Sequence, residues 1–429
     1  MNRRLPFLPF FKKRIPFLSF FIVVLFSFQV FHIISLKSKY AAVDLRNRIT
    51  GARVLKNKPG ISPYYYKWNK ADGDAFLDLY DTPSFTLNRN TVTPFLLQLL
   101  SPIVGFSFST LSWVWFFDEV SILLLCALLF YSSVKDPDKK FGILFISFVA
   151  IGSSQGFLFH AVSGQVYIFY TLLLTLVYFL FNRSGILIEI CTAILLCIFI
   201  LIRPIAFVFL IPFIIKKRLR ILFYLTGFIL LYFGYEFLSG GLWIWKSYMQ
   251  AMHDWSYEFF QPPVPLTYEE LNITNHIEGS GIIKASPLWH ISEDSSLRGF
   301  IFRFFHIKLL TKELMVAAGI AAASSYLFLR KKIFNADVRT LFIYSFLLYF
   351  IAEICLPAIR NSYNYVQWLF PLLLIVTGSR QKPSLYILLL SGTLLALGVF
   401  KFLPFDLTLA ELIFATMCFY FINDKTLNA

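Results

Sequence analysis

Long apolar runs alternate with short polar connections along almost the whole chain, and this alternation sets the first expectation. Ile15 to Leu36 is the first run, and a polar stretch from Lys37 to about Asn90 follows it. Thr91 to Phe108 is apolar but interrupted by Pro94 and Pro102, and Trp113 to Ser133 is a full-length run. Phe141 to Phe159, Gln165 to Phe181 and Ile186 to Ile202 continue the series until Pro204 breaks it. Ile205 to Ile215 is then too short for an upright span, and a proline between short apolar runs predicts broken helices, tolerated at membrane depth only where protein or a cavity encloses them. Ile221 to Leu238 leads into a second polar stretch, Ser239 to about Lys312, rich in Trp, Tyr and Pro. Glu313 to Leu329, Val338 to Leu356, Val366 to Thr377, Leu385 to Leu403 and Leu407 to Phe421 complete the pattern. With roughly 20 residues needed per crossing, about twelve transmembrane helices fit. The expected fold is therefore an all-α polytopic membrane protein. It forms one integral domain over residues 1–429, with two long extracytoplasmic loops (37–110 and 239–312) carrying amphipathic helices, and C-terminal helices over 313–429.

Composition agrees, since 58% of residues are hydrophobic and the mean hydropathy is +0.68, against about 45–50% apolar in soluble domains. The net charge of +15 is gathered between runs, which points to anionic headgroups or a phosphate-bearing lipid rather than to nucleic acid. Arg3, Arg4, Lys12, Lys13 and Arg14 precede the first run, which lacks a small-residue cleavage site and reads as an uncleaved anchor with a cytoplasmic N-terminus (1–14). Placing Lys135, Lys139, Lys140 and the Lys216 to Arg220 cluster on the same side requires Thr91 to Phe108 to be a surface-lying or re-entrant helix. Arg330 to Lys332, then Arg380 and Lys382, fall on that side too. The five cysteines lie in apolar runs without metal-ligand spacing and read as small core residues. No internal repeat is visible, which weighs against a transporter built from repeated halves.

Candidate chemistry gathers after the first run. Asp44 stands at the membrane exit ahead of a basic amphipathic stretch, and Pro63, Tyr64, Tyr65, Tyr66 and Trp68 form an aromatic turn beyond it. An aspartate there serves either as an N-cap for a helix over Leu45 to Leu55 or as a general base toward a substrate hydroxyl. Asp72, Asp74, Asp78 and Asp81 include an Asp-Gly-Asp pair, but Phe76 and Leu77 stand where a calcium loop needs a ligand and a glycine, so no metal site is expected. His160 to Gln165 sits at an outward turn, where Gly164 permits close backbone approach. Arg203 and Arg360 lie at outer ends of apolar segments. They either snorkel or converge on a phosphate, which guanidinium binds in a planar, bidentate way. His253, Asp254, Trp255 and His290 of the second loop are further candidates.

In order and spacing these pieces resemble the C-type glycosyltransferase superfamily, and more narrowly glycosyltransferase family 87, the polyprenol-phosphate-mannose-dependent mannosyltransferases. The matching pieces are Asp44-Leu45-Arg46, Gly51, Gly60 with Pro63-Tyr64, Thr93-Pro94-Phe95-Leu96-Leu97 through Ser101-Pro102, Gly164-Gln165-Val166 and Arg203-Pro204. They cover roughly residues 40 to 220. The chain departs from the family at Pro94, where two prolines are usual. It departs again at Tyr363 to Pro371, where the family commonly carries a His and this chain has none.

The resemblance implies inverting transfer of mannose or a related hexose from a polyprenyl-phosphate donor to a glycolipid or glycan acceptor. The active site would face outward from the cytoplasmic (inner) membrane, and neither a metal nor a cofactor is implied. Asp44 would be the base, Arg203 and Arg360 would hold the donor phosphate, and Arg46, Tyr64, Tyr65, His160, Gln165 and Asn364 would line the substrate site. The partners implied are the donor lipid, the acceptor and the bilayer. A transporter or flippase of lipids or lipid-linked sugars is the rival. It too would want a basic, aromatic cavity, but no fixed carboxylate beside the first span.

Overall fold

The computed structural model describes residues 15–37, 42–57, 59–64, 90–258, 296–307, 309–355, 360–378, 383–398 and 406–424. Among these all regular structure is helical. The helices are α1 (Ile15–Lys37), α2 (Val43–Asn57), α3 (Pro94–Leu100), α4 (Phe108–Ser133), α5 (Pro137–Leu144) and α6 (Gln155–Ser163). They continue with α7 (Tyr167–Phe181), α8 (Ile186–Ile202), α9 (Ile211–Ile215), α10 (Leu219–Leu238), α11 (Leu242–Glu258) and α12 (Leu297–Phe305). The last are α13 (Thr311–Ile333), α14 (Val338–Ile354), α15 (Leu369–Gly378), α16 (Pro383–Ala396) and α17 (Asp406–Asn423). Tight 3₁₀ turns precede α9 (Pro204–Leu210) and α15 (Ser362–Trp368), and a π-helical stretch, Phe145–Ile151, follows α5.

Five helices are long and apolar enough to cross a membrane: α1, α4, α10, α13 and α17. A sixth crossing arises if Pro137–Ile151 and Gln155–Ser163, bent by 63°, count as one. Their outward faces explain why water is the wrong solvent. Phe31 is 70% exposed on α1, Phe223 75% and Leu238 85% on α10. Such continuous apolar surface is stable against lipid. This is an all-α membrane protein. α15, by contrast, is buried from Leu369 to Thr377.

Basic side chains tie several helix ends together. At one end Lys140 lies over the Tyr131 ring (4.6 Å), Lys139 Nζ donates to the Thr377 carbonyl (2.8 Å) and Arg218 lies over Phe181 (5.6 Å). Lys332 donates to Asn423 there as well. These contacts collect the end of α4, the start of α5 and the ends of α7, α13, α15 and α17. Lysine and arginine suit helix C-termini, whose last carbonyls lack intrahelical partners.

The opposite end holds α2, α3, the start of α4, and the α6–α7 turn. There Trp115 Nε1 donates to the Gln165 carbonyl (3.0 Å), and Thr93 Oγ1 donates to the Ile202 carbonyl (3.4 Å). The helical segment Pro94–Ile103 rises only about 15 Å at 1.5 Å per residue, roughly half a hydrocarbon core. It stays at this end, packed on α2, α8 and α11.

Four differences from the sequence pattern have physical causes. The run expected from Gln165 starts at Tyr167, because Gly164 caps α6 in the left-handed region (φ 69°) and the chain reverses before α7 begins. Val366 to Thr377 begins in a 3₁₀ turn that ends at Trp368, and only from Leu369 is it α-helical. The run expected to reach Leu403 leaves its helix at Ala396. The fourth is α2: the stretch after Asp44 is no surface amphipathic helix but is buried from Leu45 to Val54.

Candidate functional site

Burying a helix with three central arginines needs compensation, and α2 supplies it through its neighbours' carbonyls. Arg48 Nη1 donates to Gly164 O (2.7 Å), while Arg53 donates to Val104 O and Phe106 O (both 3.1 Å). Arg46 lies over the Phe108 ring at 3.9 Å. The guanidiniums thus pay for the otherwise orphaned carbonyls of two chain reversals. Close approach is permitted by glycine. A Cβ on Gly51 would lie 1.9 Å from Asn90 Nδ2, and one on Gly164 would lie 2.6 Å from Leu45 Cβ.

Asp44 sits in the first turn of α2, where a carboxylate complements the helix dipole. It is not the N-cap. The helix has already begun at Val43, and Ala42 O accepts from Arg46 N (3.0 Å) in the cap's place. The Asp44 side chain reaches sideways instead, its Oδ2 accepting from Gln165 Nε2. Gln165 Oε1 accepts from Arg48 Nη2 at 2.5 Å. Arginine can only donate, so the Gln165 carbonyl must face Arg48 and its NH₂ must face Asp44. The result is a directed chain, Arg48 to Gln165 to Asp44. Burial raises the Asp44 pKa above the usual aspartate range, with Arg48 and the Gln165 hydrogen bond pulling the other way. The residue nonetheless keeps partial solvent access.

Beyond Asp44 lies an aromatic pair. Tyr363 is near enough for its hydroxyl to feel the Asp44 charge, and it accepts from Asn361 Nδ2 at 2.9 Å. Its ring stacks on Tyr167 at 5.6 Å, and the Arg203 guanidinium lies 5.7 Å from the Tyr167 ring on the way to Glu353. Asn361, Tyr363, Tyr167 and Arg203 are all partly exposed. A carboxylate and a guanidinium therefore flank one aromatic pair, in the order Asp44, Tyr363, Tyr167, Arg203.

The remaining expected residues divide clearly. Gln165 is in the site, as Asp44's partner. Arg46 belongs to the packing of α2 on Phe108. Tyr64 is buried, its hydroxyl donating to Val92 O (2.9 Å) and its ring 5.4 Å from Tyr248. His160 is wholly enclosed: Nε2 accepts from Ile168 N (3.2 Å), so Nδ1 carries the proton, 3.2 Å from Glu119 Oε1. It ties α4, α6 and α7 together rather than meeting a substrate. Asn364 is buried, and its backbone carbonyl accepts from Gln367 Nε2 (3.2 Å). Arg360 is a correction. It is buried and takes both Glu411 oxygens (2.5 and 2.6 Å) and Glu353 Oε2 (3.2 Å), so its guanidinium is spent on carboxylates rather than offered to a phosphate.

Tyr65, Asp72, Asp74, Asp78, Asp81 and His290 lie outside the described residues, as do the side chains of Asp254 and Trp255; His253 is exposed on α11. Among the described residues no three His, Cys, Asp or Glu converge as metal ligands. Sequence reasoning passed over Arg48, Tyr167 and Tyr363 as site residues, and Glu353 and Glu411 as their support. The usable signal was charge inside apolar runs: Glu353 and Glu411 interrupt two of them, and an intramembrane carboxylate calls for a named partner. Comparison of the chain with known protein families, characterised proteins and solved structures finds no match.

Proposed function

We propose that the protein is a membrane glycosyltransferase that moves a hexose, mannose or a close relative, from a polyprenyl-phosphate donor to a glycolipid or glycan acceptor. The observation that carries this reading is the pairing of a recessed, oriented carboxylate with a partly exposed arginine across the Tyr363–Tyr167 pair. The acceptor hydroxyl attacks the anomeric carbon, and its proton passes to the Asp44 oxygen that Gln165 does not hold. The bond from that carbon to the phosphate oxygen breaks on the opposite face, which inverts the configuration. The leaving lipid phosphate needs no protonation, because its new charge is met by the Arg203 guanidinium. A raised carboxylate pKa favours this role, since a base is most effective when its pKa approaches the working pH.

The finer topology belongs to the same reading. About twelve membrane-embedded segments, counting short and broken ones, put both termini and the basic helix ends in the cytoplasm and Asp44 on the outer face of the inner membrane. The test is direct. Purified protein is incubated with polyprenyl-phosphate sugars and a glycolipid acceptor panel. Sugar transfer with inversion supports the reading; lipid binding or translocation without transfer from any donor would replace it with a flippase.

A further inference from the structure

The Arg203 guanidinium is useful to a phosphate only if something fixes it, and the structure contains an elaborate means of doing so. Arg203 Nη2 donates to Glu353 Oε1 at 2.9 Å. Glu353 is itself clamped. Arg360 donates to its Oε2 from Nε and Nη2 (3.3 and 3.2 Å), and Gln367 Nε2 donates to both oxygens (3.1 and 3.2 Å). Gln367 is oriented in turn by Tyr349, whose hydroxyl donates to Gln367 Oε1 at 2.7 Å. Behind them Glu411 takes Arg360 in a two-pronged pair and also accepts from Trp368 Nε1 (3.0 Å).

Exposure separates the four charges. The side chains of Glu353, Arg360 and Glu411 are 2–3% exposed, whereas that of Arg203 is 25% exposed. Two arginines and two glutamates sum to zero, so the cluster is neutral as a whole, but only its outermost member meets solvent. An Arg–Glu–Arg–Glu row therefore ends in a cation at the site. Burying ion pairs is expensive, and well-packed apolar residues of similar volume often replace them at no loss of stability.

We infer that Glu353 is a positioning residue for Arg203, and that Glu411, by taking both prongs of Arg360, keeps Glu353 available to it. This rests on the proposed phosphate-bearing donor. Glu411 satisfies most of Arg360's charge. Without it, Arg360 turns its full fork onto Glu353 and competes with Arg203 for the same carboxylate. Removing Arg360 along with Glu411 abolishes the competitor and leaves the Glu353–Arg203 pair intact.

The test compares binding of polyprenyl monophosphate with that of polyprenol of the same chain length, using the full-length protein in detergent. Wild type should prefer the phosphate. Glu353→Gln should lose that preference by about 10- to 100-fold, the worth of one charge-assisted hydrogen bond, while its polyprenol binding stays the same. Glu411→Gln should lose part of the preference, and Glu411→Gln combined with Arg360→Met should regain it. That rescue is what a purely structural cluster would not show. Should Glu353→Gln fail to fold, the Glu411 single and double variants decide the matter. A phosphate preference that is unchanged in the single variants, or that falls further in the double one, overturns the positioning role. A wild type that binds both lipids equally overturns the functional reading itself.

Discussion

Gly164 offers a way to disturb Asp44 without touching its chemistry. Two physical costs meet at this residue. Its φ of 69° lies in the left-handed region, where a non-glycine residue costs about 1–3 kcal/mol. A methyl there would also stand 2.6 Å from Leu45 Cβ, well inside the 3.5–4.0 Å of ordinary carbon contact. Leu45 Cβ sits against the backbone and is not the free end of a long side chain, so α2 must retreat by about 1 Å. Overpacking of this kind costs about 1–3 kcal/mol, and Gly164→Ala should lose about 2–6 kcal/mol in all. Leu45 adjoins Asp44, and Gly164 adjoins Gln165, so the same retreat separates the carboxylate from the amide that orients it. A displacement near 1 Å at a reacting group costs about a hundredfold in rate. Thermal unfolding in detergent reads the first effect and sugar transfer reads the second. Gly105→Ala is the control, since a Cβ there meets nothing within 4 Å. If Gly164→Ala matched Gly105→Ala in both assays, the account of how α2 seats Asp44 would be wrong.

The pH dependence follows from the same carboxylate. Burial raises the Asp44 pKa, and the base works only when ionised, so transfer should fall with decreasing pH along a limb above the ordinary aspartate value of about 3.9. Arg48→Met, which removes the cation that pulls this pKa down, should move the limb to higher pH; an unmoved limb assigns it to another group. Topology is tested by single cysteines in a Cys191→Ser background, since the other four are buried. Ile61→Cys should react with a membrane-impermeant thiol reagent in intact cells, and Lys135→Cys and Lys216→Cys should not. Labelling of Lys135→Cys from outside would invert the assignment of sides.

Much of the fold could be read from the chain because apolar length and charge act locally. The break at Pro204, the early turn at Gly164 and the limited reach of Pro94 to Ile103 all follow from one or two residues. The pairing of Asp44 with Gln165 could not be read in the same way. The two residues are 121 positions apart, and nothing in either neighbourhood specifies the other. The arginines misled for a related reason. Arg46, Arg48 and Arg53 read along the chain as one basic stretch, and only the Phe108 ring and the carbonyls at Gly164, Val104 and Phe106 show why they are buried. Arg360 resembled a phosphate ligand because Glu411, its main partner, is 51 residues away. Charges within apolar runs announce that a partner exists without saying which one.

The most direct measurement is transfer by Asp44→Asn beside binding of the donor lipid, on one preparation. Asparagine can still accept from Gln165, so the local geometry survives. The sign of the stability change follows from the raised pKa. The protonated carboxyl is the form the fold favours, a contribution present below the unfolded pKa and lost as pH rises through the folded one. At neutral pH the neutral amide should therefore leave the melting temperature unchanged or higher. Transfer should fall by about 10²–10⁴-fold, the usual worth of a general base, while donor binding persists. A folded Asp44→Asn protein that transfers sugar at the wild-type rate would contradict the account at its centre.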